Sequence, residues 1–152
     1  MIKLILSLLL LTNFLALETS AITGTEAEEV ESVIISLFDA MRASDGNQIR
    51  SLVTEDAKLH TVTLADGEPI LRETRFDLFI TSVGHAEPGT LDEQLTSVQV
   101  NIDENLATAW MEYRFYVAGK FSHCGVNTMN LIRKSDGWKI FSIVDTRRSE
   151  NC

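Results

Sequence analysis

The chain carries three histidines, and two of them, His60 and His123, fall in stretches with strand character. If the apolar Met129 and Leu131 point inward, then His123, Gly125 and Asn127 share their face, because strand side chains alternate with period two. Further on, Phe141 and Ile143 precede Asp145 on one face, so a carboxylate sits at the rim of an apolar wall. In apolar surroundings a carboxyl pKa rises until the group can act as a base near neutrality, while a neutral imidazole can donate or accept. Asp145, His123 and Tyr113 therefore form a candidate acid–base set for removing a proton beside a carbonyl. The competing reading is structural: His123 hydrogen-bonds Asp145 and Tyr113 fills the core.

Around these, Phe38, Met41, Phe76, Phe79, Phe115, His60 and Asn127 are the residues expected to line a ligand pocket. His60 has Lys58 and Val62 on its own face. The aromatic and Met residues serve equally as core, since in a curled domain the deep core and the pocket wall are the same residues. No phosphate-binding glycine loop, dinucleotide fingerprint, His-Glu-x-x-His, Gly-x-Ser-x-Gly or paired Cys-x-x-Cys occurs. No metal or cofactor is expected on that ground. The formal charge of −9 disfavours nucleic acid, whose phosphates an acidic surface repels.

These residues must be positioned by a domain that begins after a leader. Lys3 precedes an almost unbroken Leu/Ile run from Leu4 to Leu11, and Thr19 and Ala21 are small residues at cleavage-site spacing. The run is shorter than the roughly 20 residues a membrane span needs, so residues 1–21 are expected to be a cleaved secretory signal. The expected location is periplasmic or secreted, with no membrane attachment after cleavage. In such an oxidising compartment Cys124 and Cys152 can pair; the alternative is a buried Cys124 and a free Cys152.

Residues 22–152 have the size of one domain with one core. Thr25 and Glu28 make a capping box, followed by Val30, Val33, Ile34, Leu37, Phe38 and Met41 at helical spacing. Asp45-Gly46 ends that helix, and Asn47 to Val53 reads as a short second one. Ala57 to Leu64 reads as a strand, and Asp66-Gly67 turns into an edge strand around Pro69. Phe76, Phe79, Ile80 and Val83 mark a third helix closed by Gly84. From Leu91 the chain reads as four long strands joined by short turns, an antiparallel meander. Three helices on one face of a curled antiparallel sheet make an α+β cone with a hollow side.

That element order and the stretch from Phe121 to Phe141 resemble the nuclear-transport-factor-2-like superfamily, whose fold is cystatin-like. More narrowly they resemble its exported SnoaL-like and lumazine-binding-like members. Asp136-Gly137-Trp138-Lys139-Ile140 and Asp56-Ala57 are the local matches. The resemblance implies a cone with a pocket and leaves function open, because this fold hosts enzymes, carriers and interaction modules. The leading expectation is an exported domain whose apolar pocket binds a small, partly apolar molecule, with little or no catalysis. The alternatives are a cofactor-free isomerase, dehydratase or hydrolase using Asp145 and His123, and an interaction module using the convex face around Trp110, Glu112, Arg114 and Tyr116. Strict alternation also puts Trp138, Ile140 and Val144 outward. That patch leads to the expectation of a homodimer through the convex sheet face.

Overall fold

The computed structural model describes residues 24–152; the expected leader and its cleavage after Ala21 lie outside the described residues, as does the side chain of Thr25. The element order is α1 (Gly24–Ala43), α2 (Gly46–Leu52), β1 (Val53–Ala65), β2 (Glu68–Thr74), α3 (Phe76–Gly84), β3 (Leu91–Asp103), β4 (Leu106–Val117), β5 (Lys120–Lys134) and β6 (Gly137–Thr146). Among the described residues no helix is long and apolar enough to cross a membrane.

The helix boundaries follow local chemistry. After α1, Ser44 takes a left-handed backbone with φ of 57°. Asp45 then caps α2, its side chain accepting from the Gln48 amide. Asp45 therefore starts the second helix more than it stops the first. Val53, assigned to that helix from sequence, opens β1 instead. Gly84 is the last residue of α3, and His85 caps it, its amide and its ring Nδ1 both meeting the Thr81 carbonyl.

The six strands lie in the order β2-β1-β6-β5-β4-β3. The strands β3 to β6 form the expected antiparallel meander. However, β1 runs parallel to β6, so the sheet is mixed. The parallel pair is possible because a long crossover, through β2, α3 and the meander, separates the two strands. β2, with Pro69, is an edge strand as its proline requires.

Three one-residue bulges break the strict alternation: Thr96 is extra on β3, Ser122 on β5 and Phe141 on β6. Each bends its strand and reverses the parity of the faces beyond it. The bulge at Phe141 keeps Ile140 opposite Leu131 and Ile143 opposite Met129, so all four face inward. Trp138 and Ile140 are therefore buried in the core, not exposed on the convex face as strict alternation placed them. Of that expected outer patch, Trp110 is half exposed, while Tyr116 and Val144 are only partly covered.

The core sits between the concave face and the helices. Val30, Ile34, Leu37, Ile49, Met111, Leu131 and Ile140 are among its fully buried side chains, each stabilising the fold by roughly 1.5–3 kcal/mol. Glu26 on the first turn of α1 pairs with Arg133 at the far end of β5. The N-terminal half of α1 thus lies over the end of the cone near the β5–β6 turn.

Behind the sheet the C-terminal tail is strapped to β5. Cys124 and Cys152 form a disulfide, which settles the choice left by the sequence. Cys124 and Arg148 also exchange both backbone hydrogen bonds at 2.9 Å, and Arg114 Nη2 donates to the Cys152 carbonyl at 2.7 Å.

Candidate ligand pocket

Between the concave face, α1 and α3 lies a cavity of 320 Å³, a volume typical of small-molecule sites. Leu37, Phe38 and Met41 of α1 and Phe79 and Val83 of α3 form one apolar wall. Leu59, Leu91, Phe115, Met129 and Ile143 form the other. Apart from Ser82 on α3, the polar lining comes from adjacent strands: Glu93 on β3, Tyr113 on β4, His123 and Asn127 on β5, Asp145 on β6, and Arg147 just beyond it.

Most of the sequence-predicted residues meet here: Phe38, Met41, Phe79, Tyr113, Phe115, His123, Asn127 and Asp145 all line the cavity. His60 does not. On β1 the inward residues are Leu59, opposite Ile143, and Thr61, opposite Asp145, so His60 faces outward. Its Nε2 lies 3.8 Å from Glu73 on the neighbouring edge strand. Phe76 is also absent from the lining; it is buried and packs edge-on against Phe79, with ring centroids 5.5 Å apart.

The Ser122 bulge decides the orientation of His123. The two-residue turn at Ala118-Gly119 pairs Val117 with Lys120 and Tyr116 with Phe121. Continued without a bulge, that register would place Tyr113 opposite Cys124 and turn His123 outward. With Ser122 looped out, Phe115 faces His123 and Tyr113 faces Gly125, and the Phe115, His123 and Tyr113 side chains enter the pocket.

The expected acid–base set is assembled, but its hydrogen bonds run elsewhere. Asp145 is buried, with one oxygen accepting from Thr61 Oγ1 and the other from Arg147 Nε at 2.6 Å. The Tyr113 hydroxyl donates to the Thr146 carbonyl at 2.9 Å. Burial, reinforced by the nearby Glu93 and Asp145 charges, pushes the phenol above its ordinary pKa. His123 Nδ1 lies 3.0 Å from Ser122 Oγ, and its ring packs against Tyr113 and Phe115. Desolvation and then the Arg147 charge hold the imidazole below its usual pKa, against the pull of Asp145, so it is neutral at pH 7. The carboxylate and the imidazole share a wall without bonding to each other.

Glu93 was not anticipated from sequence. One of its oxygens accepts from Asn127 Nδ2 at 2.6 Å, and no other hydrogen bond to it occurs among the described residues. Protein atoms crowd its carboxyl even though the residue keeps some exposure to the open cavity. Desolvation pushes its pKa up to about 7; the Asn127 hydrogen bond opposes the rise, the Asp145 charge adds to it and Arg147 lowers it. A signal for Glu93 does exist in the sequence. Leu91 and Leu95 are apolar at odd positions, whereas Val98, Val100 and Ile102 are apolar at even ones. That change of parity marks the Thr96 bulge and turns Glu93 inward. Arg147 was equally legible, two residues after Asp145 and so on the same face.

Gly125 makes the pocket's polar wall possible. A Cβ there would sit 1.9 Å from the Thr146 carbonyl oxygen and 2.9 Å from a Tyr113 ring carbon. Its missing side chain lets the end of β6 cross close to β5 and lets the Tyr113 ring lie between them.

No protein-family model and no characterised protein sequence matches the chain. Solved structures do. A nuclear-transport-factor-2-like protein of unknown function from Shewanella baltica superposes with a TM-score of 0.66 at 12% identity, covering 86% of this chain and 99% of that one. A candidate dehydratase of the same family from Streptomyces avermitilis gives 0.63 at 19% identity, covering 82% of this chain and 97% of that one. A candidate ketosteroid isomerase from Shewanella frigidimarina gives 0.56 at 15% identity, covering 75% and 91%. With its three helices on one face of a curled, unclosed six-stranded sheet, this chain has the nuclear-transport-factor-2-like fold.

Proposed function

We propose that this chain is an exported binding protein that holds a small, partly apolar molecule between sheet and helices. The observation that carries this reading is the 320 Å³ cavity, which the chain's own side chains leave open and whose ionisable groups lie on or just beyond neighbouring strands. Such a distribution orients a ligand by its polar end while most of its surface is buried against apolar walls. The leader pattern of residues 1–21 and the Cys124–Cys152 disulfide support export to an oxidising compartment. Native mass spectrometry of protein purified from its own envelope fraction tests both points. The expected result is a mature chain beginning at Ile22 with a small noncovalent adduct. A chain beginning at Met1 removes the export reading, and a bare chain at every collision energy removes the carrier reading.

A second reading, a cofactor-free isomerase, dehydratase or hydrolase, is favoured by one feature, the Glu93 carboxyl poised near neutrality beside an open cavity. In it the base is Glu93 and not Asp145, whose two oxygens are taken by Thr61 and Arg147. The candidate dehydratase and candidate isomerase that share the fold are consistent with it. Deuterium exchange at the carbon beside the carbonyl in a panel of ketones, followed by NMR, decides. Exchange that disappears in Glu93→Gln supports catalysis; exchange equal in both proteins rejects it.

Self-association through the convex face also stays a proposal, now resting on Trp110 with its partly covered neighbours Tyr116 and Val144. Sedimentation as a monomer at every concentration would remove it.

A further inference from the structure

Resting on the binding reading, we infer that the pocket's ligand is a small apolar molecule bearing a protonated amine, and that this amine seats on the carboxylate of Glu93. The charged and polar groups that share the pocket with Glu93 leave its carboxylate without an opposite charge. From β6 come Asp145 and, just past it, Arg147, which are bound to each other at 2.6 Å. From β5 come Asn127, an amide that donates to Glu93, and His123, kept neutral by burial and by the Arg147 charge. From β4 comes Tyr113, whose proton goes to the Thr146 carbonyl. From α3 the lining is Phe79, Ser82 and Val83, with no charge.

On the α1 side a second cleft of 240 Å³ shares Phe38 and Glu93 with the cavity and contains Asp39 and Arg42. The Arg42 guanidinium is engaged with Asp92 and Asp39 at 2.7 Å each, so it is not free to neutralise Glu93. Among the described residues, the charged side chains lining the cavity are Glu93, Asp145 and Arg147, and of these Glu93 alone has no ion-pair partner.

Three further features suit a cation. Among the described residues the single hydrogen-bond partner of Glu93 is a neutral amide donor on one oxygen, leaving acceptor capacity for a second donor. The walls include the rings of Phe38, Phe79, Tyr113 and Phe115, whose faces attract an ammonium group. The chain's net charge of −9 draws cations and repels anions on approach. An ammonium group beside Glu93 favours its ionised form, so amine binding releases a proton when it occurs below the pH at which Glu93 is already ionised.

Isothermal titration with three probes on one skeleton tests the inference: phenethylamine, phenethyl alcohol and phenylacetate, each with wild type and with Glu93→Gln. The expected order in wild type is amine over alcohol by at least about tenfold, with phenylacetate weakest. In Glu93→Gln the amine falls to the level of the alcohol, while the alcohol changes by less than about threefold. Amine affinity also rises with pH through about neutrality in wild type and stays flat in the variant. An alcohol or carboxylate that binds wild type as tightly as the amine overturns the cation while leaving the carrier reading intact. Failure of all three to give saturable heat overturns both. Should Glu93→Gln lose its near-ultraviolet dichroism, the wild-type ranking alone decides.

Discussion

The concave face of one sheet holds two regions of opposite character on the same strands. Towards the β5–β6 turn the inward residues are Val98, Val100 and Ile102 on β3, Ala107 and Ala109 on β4, Leu131 on β5, and Trp138 and Ile140 on β6. Towards the β4–β5 turn the same strands present Glu93, Tyr113, Asn127 with His123, and Asp145. In the first region Ala107 and Ala109 leave room that neighbouring branched side chains fill, and the result is a dry core. In the second, rigid rings stand on both walls and a cavity remains. The boundary is where the backbone slips: Thr96 lies between Leu95 and Val98, and Phe141 between Ile140 and Ile143. A bulge re-aims the side chains beyond it and bends the sheet, so one set of long strands serves as core at one end and binding wall at the other.

Truncation in the dry region should give the largest loss with the least functional consequence. Ile140 is fully buried, so Ile140→Ala is expected to cost about 2–5 kcal/mol of stability by urea denaturation. Ligand affinity, measured on the fraction that remains folded, should not change. Affinity that falls in step with stability would mean that the two regions are not separate.

Next in size is the disulfide. Closing a loop with a sequence separation of 28 contributes about 3–4 kcal/mol in the chain-entropy model. Cys152→Ser should therefore lower the denaturation midpoint of oxidised protein to that of reduced wild type. Because the tail begins next to Asp145 and Arg147, amide exchange should quicken around Thr146 and Arg148 and leave the strand around Ile140 protected. Uniform quickening along β6 would contradict a two-region molecule.

How far the sequence revealed this division depends on the bulges. Helical spacing from Val30 to Met41 and the Asp66-Gly67 and Ala118-Gly119 turns were readable, because the physics behind them is local. Both residues of each turn have positive φ, the geometry of a tight two-residue hairpin. The inward facing of His123, Asn127 and Asp145 was also readable from nearby apolar residues on their own strands. What alternation missed lies across a slip: Glu93 beyond Thr96, and Trp138 with Ile140 before Phe141. A bulge shows in a single chain only as a change in the parity of apolar positions. The parallel pairing of β1 with β6 had no local signal, since it joins residues 84 to 87 positions apart and follows from how the crossover packs.

A smaller effect distinguishes the regions by pH. Glu93 titrates at about 7 in the folded chain against an ordinary value of 4.5, so between those values the folded state holds a proton that the unfolded state has lost. Stability from this group is therefore full below about pH 4.5 and declines as pH rises to about 7, by at most about 3 kcal/mol. His123 works in the opposite sense: its lowered pKa makes acidification below about pH 6.5 destabilising. Denaturation of Glu93→Gln across that range should show the Glu93 decline removed and the His123 fall on the acid side exposed. A variant whose pH profile is parallel to that of wild type throughout would mean that the Glu93 carboxyl is as well solvated when folded as when unfolded.

The smallest expected effect compares two histidines that sequence alone placed in one pocket. His60 and His123 both lie on strands, but His60 faces outward beside Glu73, while His123 lies inward against Tyr113 and Phe115. The Glu73 carboxylate is half exposed and 3.8 Å away, so the contact is a surface one, stabilising by under about 1 kcal/mol even when the histidine is charged. His60→Ala should therefore change stability by less than about 0.5 kcal/mol at neutral pH and leave ligand affinity unaltered. His123→Ala removes a ring from the pocket wall, along with its packing on two aromatic neighbours, and should weaken binding by about tenfold. Titration of the same ligand into both variants reads the difference directly. Equal losses would mean that a ligand reaches both faces of the sheet, which a continuous β1–β6 pairing between them forbids, and the register from Lys58 to Val62 would then have to be redrawn.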